Sequence, residues 1–355
     1  MRKICFLILI VFTFFIYGLA AEDQLIIITH NGLKGIIDKN FKIIAFPSFE
    51  VILQYSGDCA VAYNVPAEDA YIFSGGEKQK IDGRYYSGHV FSDYFLFSYP
   101  DIKGKTMVNC KTLNRVYSDW GIYESSQPII PVRGTDGFYY IDTDGNILFN
   151  GRKFNEAFGF VEGYAVVALS DWSYVIMDDT GKTTENIKFE ITSKYFSEGL
   201  IAGITKDGKT GFFDVAGKQV IDIPFRYYGL RLATTDFNGG HALVNVADNR
   251  WRIIDRIGKN VKEISCLYAD NFCDGLSRIV VSSDDGDKYR FVKTDGTFLT
   301  SLEFDEASSF CNGYARIVVN DIDGLLDTDG NMYLSNELLQ GKKIRHTESE
   351  FYENK

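Results

Sequence analysis

The side chains that most often carry out catalysis are few and scattered in this sequence. Its four histidines are His30, His89, His241 and His346, and none stands at a spacing typical of a zinc site. A nucleophile elbow, a phosphate-binding loop and a dinucleotide fingerprint are also missing from the sequence. A triad assembled from distant positions stays open as an alternative, because such triads are brought together by the fold. The sequence therefore nominates no catalytic residue and no cofactor.

Two acidic segments resemble the beginning of a calcium-binding loop. Both read Asp-Thr-Asp-Gly-Asn, at 142–146 and at 327–331. A complete EF-hand loop needs spaced oxygen ligands that end in a bidentate glutamate, whereas here the glycine comes early and a strand pattern follows at once. We interpret both segments as polar hairpin turns and expect no metal site. Adjacent carboxylates such as Asp178 and Asp179 would suit glycoside hydrolysis only as a pair across a cleft, and the sequence singles out no such pair.

These turns belong to a nine-residue phrase that recurs along the chain. Examples are YIDTDGNIL at 140–148, FFDVAGKQV at 212–220 and IIDRIGKNV at 253–261. Equivalent positions in successive copies are 33 to 41 residues apart. A period in this range indicates a repeat architecture. The turn position of the phrase is aspartate in six copies: Asp38, Asp142, Asp178, Asp214, Asp255 and Asp327.

The residue types at this position favour a structural role. A short oxygen-bearing side chain accepts hydrogen bonds from backbone N–H groups of the turn that follows it. Ser74 and Asn109 replace the aspartate in two weaker copies and keep that ability without the charge. Lys293 cannot accept a hydrogen bond, so we expect Asp295 or Thr294 to hold its turn. The glycine of each phrase suits a hairpin residue with positive φ.

The segment before each phrase recurs as well, and together they define the fold. KFNEAFGFVEGYAVVAL at 153–169 and EFDEASSFCNGYARIVV at 303–319 share an early apolar anchor, a Phe six residues later, a polar-Gly turn and an apolar strand. Each unit therefore provides about four short strands connected as a meander. We predict an all-β domain over 21–335, a β-propeller of about eight four-stranded blades; the alternative is an open β-solenoid or curved β-array. A closed ring places the first unit beside the last.

These residues resemble the WG-repeat proteins, bacterial β-rich repeats with the consensus Trp-Gly-Tyr-Ile-Asp-x-x-Gly-Lys. In that family the consensus is followed by Phe, Glu-Gly and a small apolar strand, and the resemblance covers about residues 24–335. The family's Trp is kept at Trp251, and its Gly at Gly35, Gly211 and Gly324, never in the same copy. The resemblance implies a β-repeat fold but no general activity, and it supplies no catalytic residues.

The two ends of the chain differ from the repeats. Residues 1–20 combine Arg2 and Lys3 with an apolar run and small residues before a cleavage site, which is typical of a secretory signal peptide. The run is shorter than the roughly 20 residues that span a bilayer, so we expect export to the periplasm or beyond and no membrane span after cleavage. Residues 336–355 form a polar C-terminal tail, which we interpret as a short helix or frayed end; a closing strand is the alternative.

The composition limits the kinds of partner that the protein can bind. The chain of 355 residues has a net charge of −11, and an acidic chain without a basic stripe is a poor nucleic-acid binder. We predict a non-enzymatic binding or interaction module for an unknown protein or glycan; the alternative is an extracytoplasmic hydrolase of glycans or peptides. The strongest break in the repeat is 90–135, and its surroundings hold the polar residues that an active site would need to bring together: His89, Asp119, Trp120, Glu124 and Arg133.

Three tryptophans are the candidate binding residues: Trp120, Trp172 and Trp251. An indole ring offers a large stacking face with a polar edge, although most aromatic residues of a β-repeat belong to its core. Trp172 lies in the turn Ser170–Ser173, where we expect the least burial.

Five cysteines follow the signal sequence, and an odd number leaves at least one thiol unpaired or bonded to another chain. Cys273 and Cys311 occupy equivalent repeat positions, where we expect small buried apolar side chains. The sequence leaves the pairing open among its five candidates: Cys59, Cys110, Cys266, Cys273 and Cys311.

Overall fold

A computed structural model describes residues 25–347, with gaps at 57–58, 65–68, 75–76, 83, 92–93, 99–104, 119–120, 124, 185–186, 188, 192, 194, 206–207 and 227–233. The described residues form nine small antiparallel sheets, each of three or four strands hydrogen-bonded in chain order. The signal-peptide prediction for residues 1–20 lies outside the described residues.

The first three sheets contain the more degenerate repeats. Sheet 1 has strands Leu25–His30, Leu33–Asp38 and Ile43–Phe49. Sheet 2 has strands Val51–Ser56, Cys59–Tyr63, Asp69–Ser74 and Glu77–Asp82. Sheet 3 has strands Arg84–Phe91, Tyr94–Ser98, Lys105–Asn109 and Arg115–Ser118.

The middle sheets follow the same meander. Sheet 4 has strands Gly121–Ile122, Ile130–Gly134 and Gly137–Ile141, followed by the 3₁₀ turn Phe149–Gly151. Sheet 5 has strands Glu156–Ala157, Tyr164–Ala168 and Tyr174–Asp178. Sheet 6 has strands Phe189–Ile191, Leu200–Thr205, Lys209–Asp214 and Gln219–Arg226.

The last three sheets complete the array. Sheet 7 has strands His241–Ala247, Arg250–Asp255 and Asn260–Ser265. Sheet 8 has strands Tyr268–Ala269, Leu276–Ser283 and Gly286–Lys293. Sheet 9 has strands Glu306–Ala307, Tyr314–Val319, Ile322–Asp327 and Met332–Leu334, and the helix Ser335–Leu338 follows it.

The core lies between the sheets, and it closes into a ring. Nine apolar clusters each join one sheet to the next. Because side chains alternate across a strand, the two faces of a sheet pack against different neighbours: Leu25 and Ile36 face sheet 2, whereas Ile26, Ile28 and Ile37 face sheet 9. The prediction of an all-β repeat is confirmed, and the contact between the first and last sheets excludes an open array.

The number of sheets differs from the number expected. We predicted about eight blades because the phrase decays over 90–135, but the described residues form nine sheets, and that region contributes to sheets 3 and 4. Several sheets have three strands rather than four. Apolar strands keep forming where the turn phrase has decayed, because burial rather than turn chemistry drives their packing.

The seam between sheets 9 and 1 is closed by the C-terminal segment. Leu338 of the short helix packs with Ile26, Phe41 and Tyr333. The other repeat junctions of sheets 5 to 9 each bury an anchor from the segment before the polar-Gly turn, and these anchors are Phe160, Phe196, Phe237, Phe272 and Phe310. After the helix, the chain returns to exchange backbone hydrogen bonds between His346 and Met332, so the described tail pairs with sheet 9 and adds no strand to sheet 1.

The repeated aspartates cap the turns that follow the third strand of sheets 4, 5, 6 and 9 and the second strand of sheets 1 and 7. Each Oδ1 accepts the backbone N–H groups of the residues two and four positions ahead at 2.8 to 3.0 Å, in the turns of Asp38, Asp142, Asp178, Asp214, Asp255 and Asp327. Asn109 accepts the N–H groups of Lys111 and Thr112 in the same way. In the Lys293 turn, Asp295 accepts the N–H and hydroxyl of Thr297 at 2.8 and 2.7 Å.

The glycine of the turn phrase also meets the neighbouring repeat. A Cβ built on Gly258 would lie 2.7 Å from Cγ2 of Ile221 in sheet 6, and one on Gly181 would lie 2.6 Å from Cδ1 of Phe149. Both glycines have positive φ, 76° and 85°. Glycine is therefore needed here for two independent reasons: the turn requires positive φ, and the next repeat packs too closely to leave room for a Cβ.

A second set of turns is connected around the ring, and we call it the turn ladder. It consists of the polar-Gly turns that precede the second strand of sheets 5, 6, 8 and 9 and the first strand of sheet 7. The carboxylate of Glu162 accepts the N–H groups of Glu198 and Gly199 at 2.8 and 2.6 Å. Glu198 in turn accepts the N–H of Gly240 at 3.0 Å, and further bonds of this kind join Gln127 to Gly163 and Asp274 to Gly313.

One disulfide joins sheets 2 and 3. Cys59 and Cys110 are bonded, 51 residues apart in sequence. Cys266 and Cys273 are buried, and burial raises the pKa of the Cys266 thiol to about 12. The prediction that Cys311 is buried is wrong: Cys311 is exposed, whereas Cys273 at the equivalent repeat position is buried.

Candidate functional site

A polar depression lies where two hairpins of neighbouring sheets meet. It encloses ≈ 230 Å³ and is lined by the turn of sheet 4 together with Asn155, which precedes sheet 5. This face carries the hairpins that begin the strands ending at the aspartate turns, so it lies at the opposite end of those strands from the aspartate turns. The lining residues are Arg133, Gly134, Thr135, Asp136, Gly137, Phe138 and Asn155.

Aromatic rings and cations alternate around the depression. The guanidinium of Arg133 lies 5.8 Å from the centroid of the Phe138 ring. Phe138 in turn contacts the ring of Tyr123, with centroids 5.3 Å apart. Lys153 places its ammonium 4.0 Å from the centroid of the Tyr139 ring. Strand register explains the grouping: Arg133 pairs directly with Phe138 across the hairpin, so their side chains project from the same face.

Asp136 is the one carboxylate in the lining, and it is held in its charged form. The Lys153 ammonium lies 3.1 Å from its Oδ1. The hydrogen bond from Lys153 lowers the pKa of Asp136. Because the side chain of Asp136 is exposed, the lowered pKa means that the carboxyl group is ionised, and it does not imply a large contribution to the stability of the fold. Asp136 can therefore accept hydrogen bonds from a ligand, but it is a poor proton donor near neutral pH.

The adjoining hairpin of sheet 5 presents Trp172 to solvent. Asn155 donates a hydrogen bond from its side-chain amide to the carbonyl of Ser170 at 3.1 Å, which ties this hairpin to the depression. Asp171 caps the turn by accepting the N–H and hydroxyl of Ser173 at 3.0 and 2.6 Å. The side chain of Trp172 is 64% exposed.

The backbone of Trp172 is unusual for its residue type. Its φ is 63°, in the left-handed region. At the equivalent hairpins of the other described sheets, the residues with positive φ are glycine, asparagine or aspartate, namely Asn31, Gly32, Gly137, Gly208, Asn249, Gly286, Asn320 and Asp321. A bulky side chain in this conformation costs roughly 1–2 kcal/mol. Trp172 therefore combines a costly backbone conformation with an exposed ring, a combination that the equivalent hairpins of the other described sheets do not share.

The remaining candidate residues are placed differently. Trp251 is 3% exposed and packs with Leu243 and Ile264, so its assignment as a binding residue is wrong. Its strand position faces the junction between sheets 7 and 8. Trp120, Asp119 and Glu124 lie outside the described residues, as does the side chain of His89; of the residues in the repeat break, Arg133 lines the depression.

Sequence reasoning found Trp172 and Arg133 but missed Asp136, Phe138, Lys153 and Asn155. The signal available was weak: Gly134-Thr135-Asp136-Gly137 reads as a hairpin turn like many others. This turn differs from the others because Asn155 of the next repeat lies beside it. The sequence of a single repeat does not reveal such a contact between repeats.

Two further features were sought among the residues that the structure describes, a metal site and a membrane span. They contain no group of three or more His, Cys, Asp or Glu side chains placed to hold a metal ion. Within the same ranges, none of the helices is long and apolar enough to cross a membrane.

The fold defines the class of this protein as a closed ring of small antiparallel sheets. Residues 140–171 and 289–321 match the WG containing repeat family. The turn phrase and the polar-Gly segments predicted this resemblance, and these two regions are close enough to the consensus to match. No curated protein sequence matches the chain.

Solved structures of similar shape share little sequence with it. The computationally designed Ika8 protein is 14% identical, with a TM-score of 0.48, 79% of this chain and 94% of that chain covered. BamB from Moraxella catarrhalis is 11% identical, with a TM-score of 0.45 and coverages of 79% and 98%. AztD from Citrobacter koseri is 10% identical, with a TM-score of 0.48 and coverages of 79% and 94%.

Proposed function

We propose that this protein is an exported, non-enzymatic binding module whose ligand contacts the hairpin face at sheets 4 and 5. The observation that carries the proposal is Trp172, exposed in a left-handed turn beside a polar depression. Proteins commonly give up some stability at positions that serve function. The ring supplies a rigid support for both hairpins, since each is anchored by a buried cluster between its sheets.

The arrangement of acids favours binding over hydrolysis. A glycosidase of the usual kind needs two carboxyl groups across a cleft, one of them with a raised pKa so that it can donate a proton. Asp136 is paired with Lys153 and its pKa is lowered. Glu156, in the next sheet, accepts a hydrogen bond from the hydroxyl of Tyr174 at 2.6 Å. Both carboxylates are thus engaged by partners that stabilise their charge.

Export is supported by the sequence of residues 1–20 and by the Cys59–Cys110 bond. Disulfides persist in oxidising compartments such as the bacterial periplasm or the extracellular space. We therefore place the mature protein outside the cytoplasm, in the periplasm or at the cell surface. N-terminal sequencing of protein recovered from cell fractions tests this placement: a mature protein that begins at Met1 and is found in the cytoplasm would refute it.

The decisive variant for the binding function is Trp172→Asn. Asparagine occupies the equivalent turns of other repeats at Asn249 and Asn320, so the turn should form at least as readily while the ring is lost. We expect the variant to keep or slightly raise the melting temperature and to lose ligands found in a glycan and peptide binding screen. A variant that melts clearly lower would show that Trp172 is structural.

A hydrolase substrate panel, run on the same mature protein, tests the alternative. Turnover of a glycan or peptide without saturable binding of any ligand in the screen would replace the binding module with an enzyme. Trp251→Phe serves as the matched control, since it changes a tryptophan that is buried in the core.

A further inference from the structure

The charges around the depression point to a negatively charged ligand. Arg133 lines the depression, and Arg152 and Lys153 lie on the segment that leads to Asn155. The acids here are Asp136 in the lining and Asp171 in the adjoining hairpin. Because Lys153 pairs with Asp136, Arg133 is the cation of the lining that is left uncompensated, and such a cation attracts anions.

Two of these cations are available to a ligand. Arg133 and Arg152 form no ion pair with the residues that the structure describes, and each guanidinium lies over a phenylalanine ring, at 5.8 Å from Phe138 and 5.2 Å from Phe154. A guanidinium held over a ring keeps its N–H edge free for a planar, bidentate bond to a carboxylate. Arg133 lines the depression itself.

The rest of the site favours a sugar over a peptide. The lining is mainly polar, with the hydroxyl of Thr135, the carboxylate of Asp136 and the amide of Asn155, groups suited to hydrogen bonds with ring hydroxyls. Apolar pockets for peptide side chains are not formed by these lining residues. Trp172 adds an exposed aromatic surface two residues beyond the Ser170 carbonyl that Asn155 contacts, and such a surface stacks on the C–H face of a sugar ring.

We infer that the ligand of this site is an acidic saccharide, with a carboxylate bound by Arg133 and a neighbouring sugar ring stacked on Trp172. This inference rests on the proposed binding function and adds the class of ligand. Asp136 and Asn155 bind the hydroxyl groups of the sugar and orient the chain between the two hairpins.

The test is a calorimetric titration of the mature protein with tri-galacturonate and with its methyl ester, which has the same sugar rings without the charge. We expect the acid to bind at least about tenfold more tightly than the ester, the contribution typical of a charge-assisted hydrogen bond. Arg133→Gln should remove this difference, whereas Trp172→Asn should weaken both ligands to a similar extent. Arg250→Gln changes an exposed arginine at the corresponding hairpin of sheet 7 and should leave both affinities unchanged.

The outcomes separate the inference from the function on which it rests. Equal binding of acid and ester, with both lost in Trp172→Asn, would overturn the acidic ligand and leave the binding module standing. Preference for the acid that persists in Arg133→Gln would also overturn the inference, since the charge would then be recognised elsewhere. Failure of either compound to bind at millimolar concentration, with a peptide found in the wider screen, would overturn the saccharide.

Discussion

Removing one carboxylate from the turn ladder should weaken the whole ring measurably. Glu162 accepts two backbone N–H groups of the next repeat at 2.8 and 2.6 Å, so Glu162→Ala leaves both without their partner. Because water can reach this exposed turn, the loss should resemble that of a helix cap, about 1–2 kcal/mol, rather than that of two buried charged hydrogen bonds. For a chain of this size, we expect a fall in melting temperature of roughly 2–4 °C.

The assay is thermal unfolding followed by circular dichroism, with urea unfolding as a second measure of the free energy of unfolding. Asp179→Ala is the control, since Asp179 is an exposed acid of the same sheet, in the turn capped by Asp178. Glu162→Gln should recover part of the loss, because the amide oxygen still accepts one hydrogen bond. If Glu162→Ala unfolds at the same temperature as Asp179→Ala, the ladder contributes nothing and the reasoning is refuted.

Four further changes test other parts of the structure. Asp327→Ala should lower stability by about 0.5–2 kcal/mol without any dependence on calcium; a large calcium-induced rise in the melting temperature of the wild type that this variant abolishes would identify a metal site instead. Burial raises the pKa of Asp236 above the ordinary carboxyl value of 3.8. The protonated side chain therefore stabilises the fold below pH 3.8, and this stabilisation is lost as the pH rises through the pKa of the folded protein. Asp236→Asn should be the more stable protein at pH 7 and should lose that advantage near pH 3. Replacing Cys59 and Cys110 by serine should cost about 2–4 kcal/mol, measured by urea unfolding under oxidising conditions, and equal stability of the two proteins would contradict the cross-link. Trp251→Ala should cost about 3–5 kcal/mol, and a loss below 1 kcal/mol would show that its cluster is loosely packed.

The repeated turn was readable from the sequence because its chemistry is local. In every copy the turn needs an aspartate that accepts N–H groups two and four residues ahead, and a glycine with positive φ after it. The closure of the ring was predicted only as one of two alternatives. The side chains that decide it, Ile26 and Leu338, lie at opposite ends of the chain, and no local pattern connects them.

The site was predictable only in part, because it depends on contacts between repeats. Trp172 stood out as a turn residue, but its left-handed backbone is visible only in three dimensions. Trp251 was misjudged because burial is decided by the neighbouring sheet, which a strand pattern does not identify. The pairing of Cys59 with Cys110 was likewise undetermined, since five cysteines allow many pairings and a disulfide requires Cα atoms close together; here they are 6.5 Å apart.

The seam between sheets 9 and 1 sets the order in which the molecule can be completed during synthesis. The face of sheet 1 formed by Ile26, Ile28 and Ile37 is among the first parts of the described chain to be made, but Leu325, Tyr333 and Leu338, which cover it, are among the last. At about 5–20 residues per second, this apolar face stays uncovered for roughly 15–60 s. During that time the apolar face offers a binding surface to the chaperones that accompany a nascent chain. The chaperones can leave the face only when the final repeat is available to cover it.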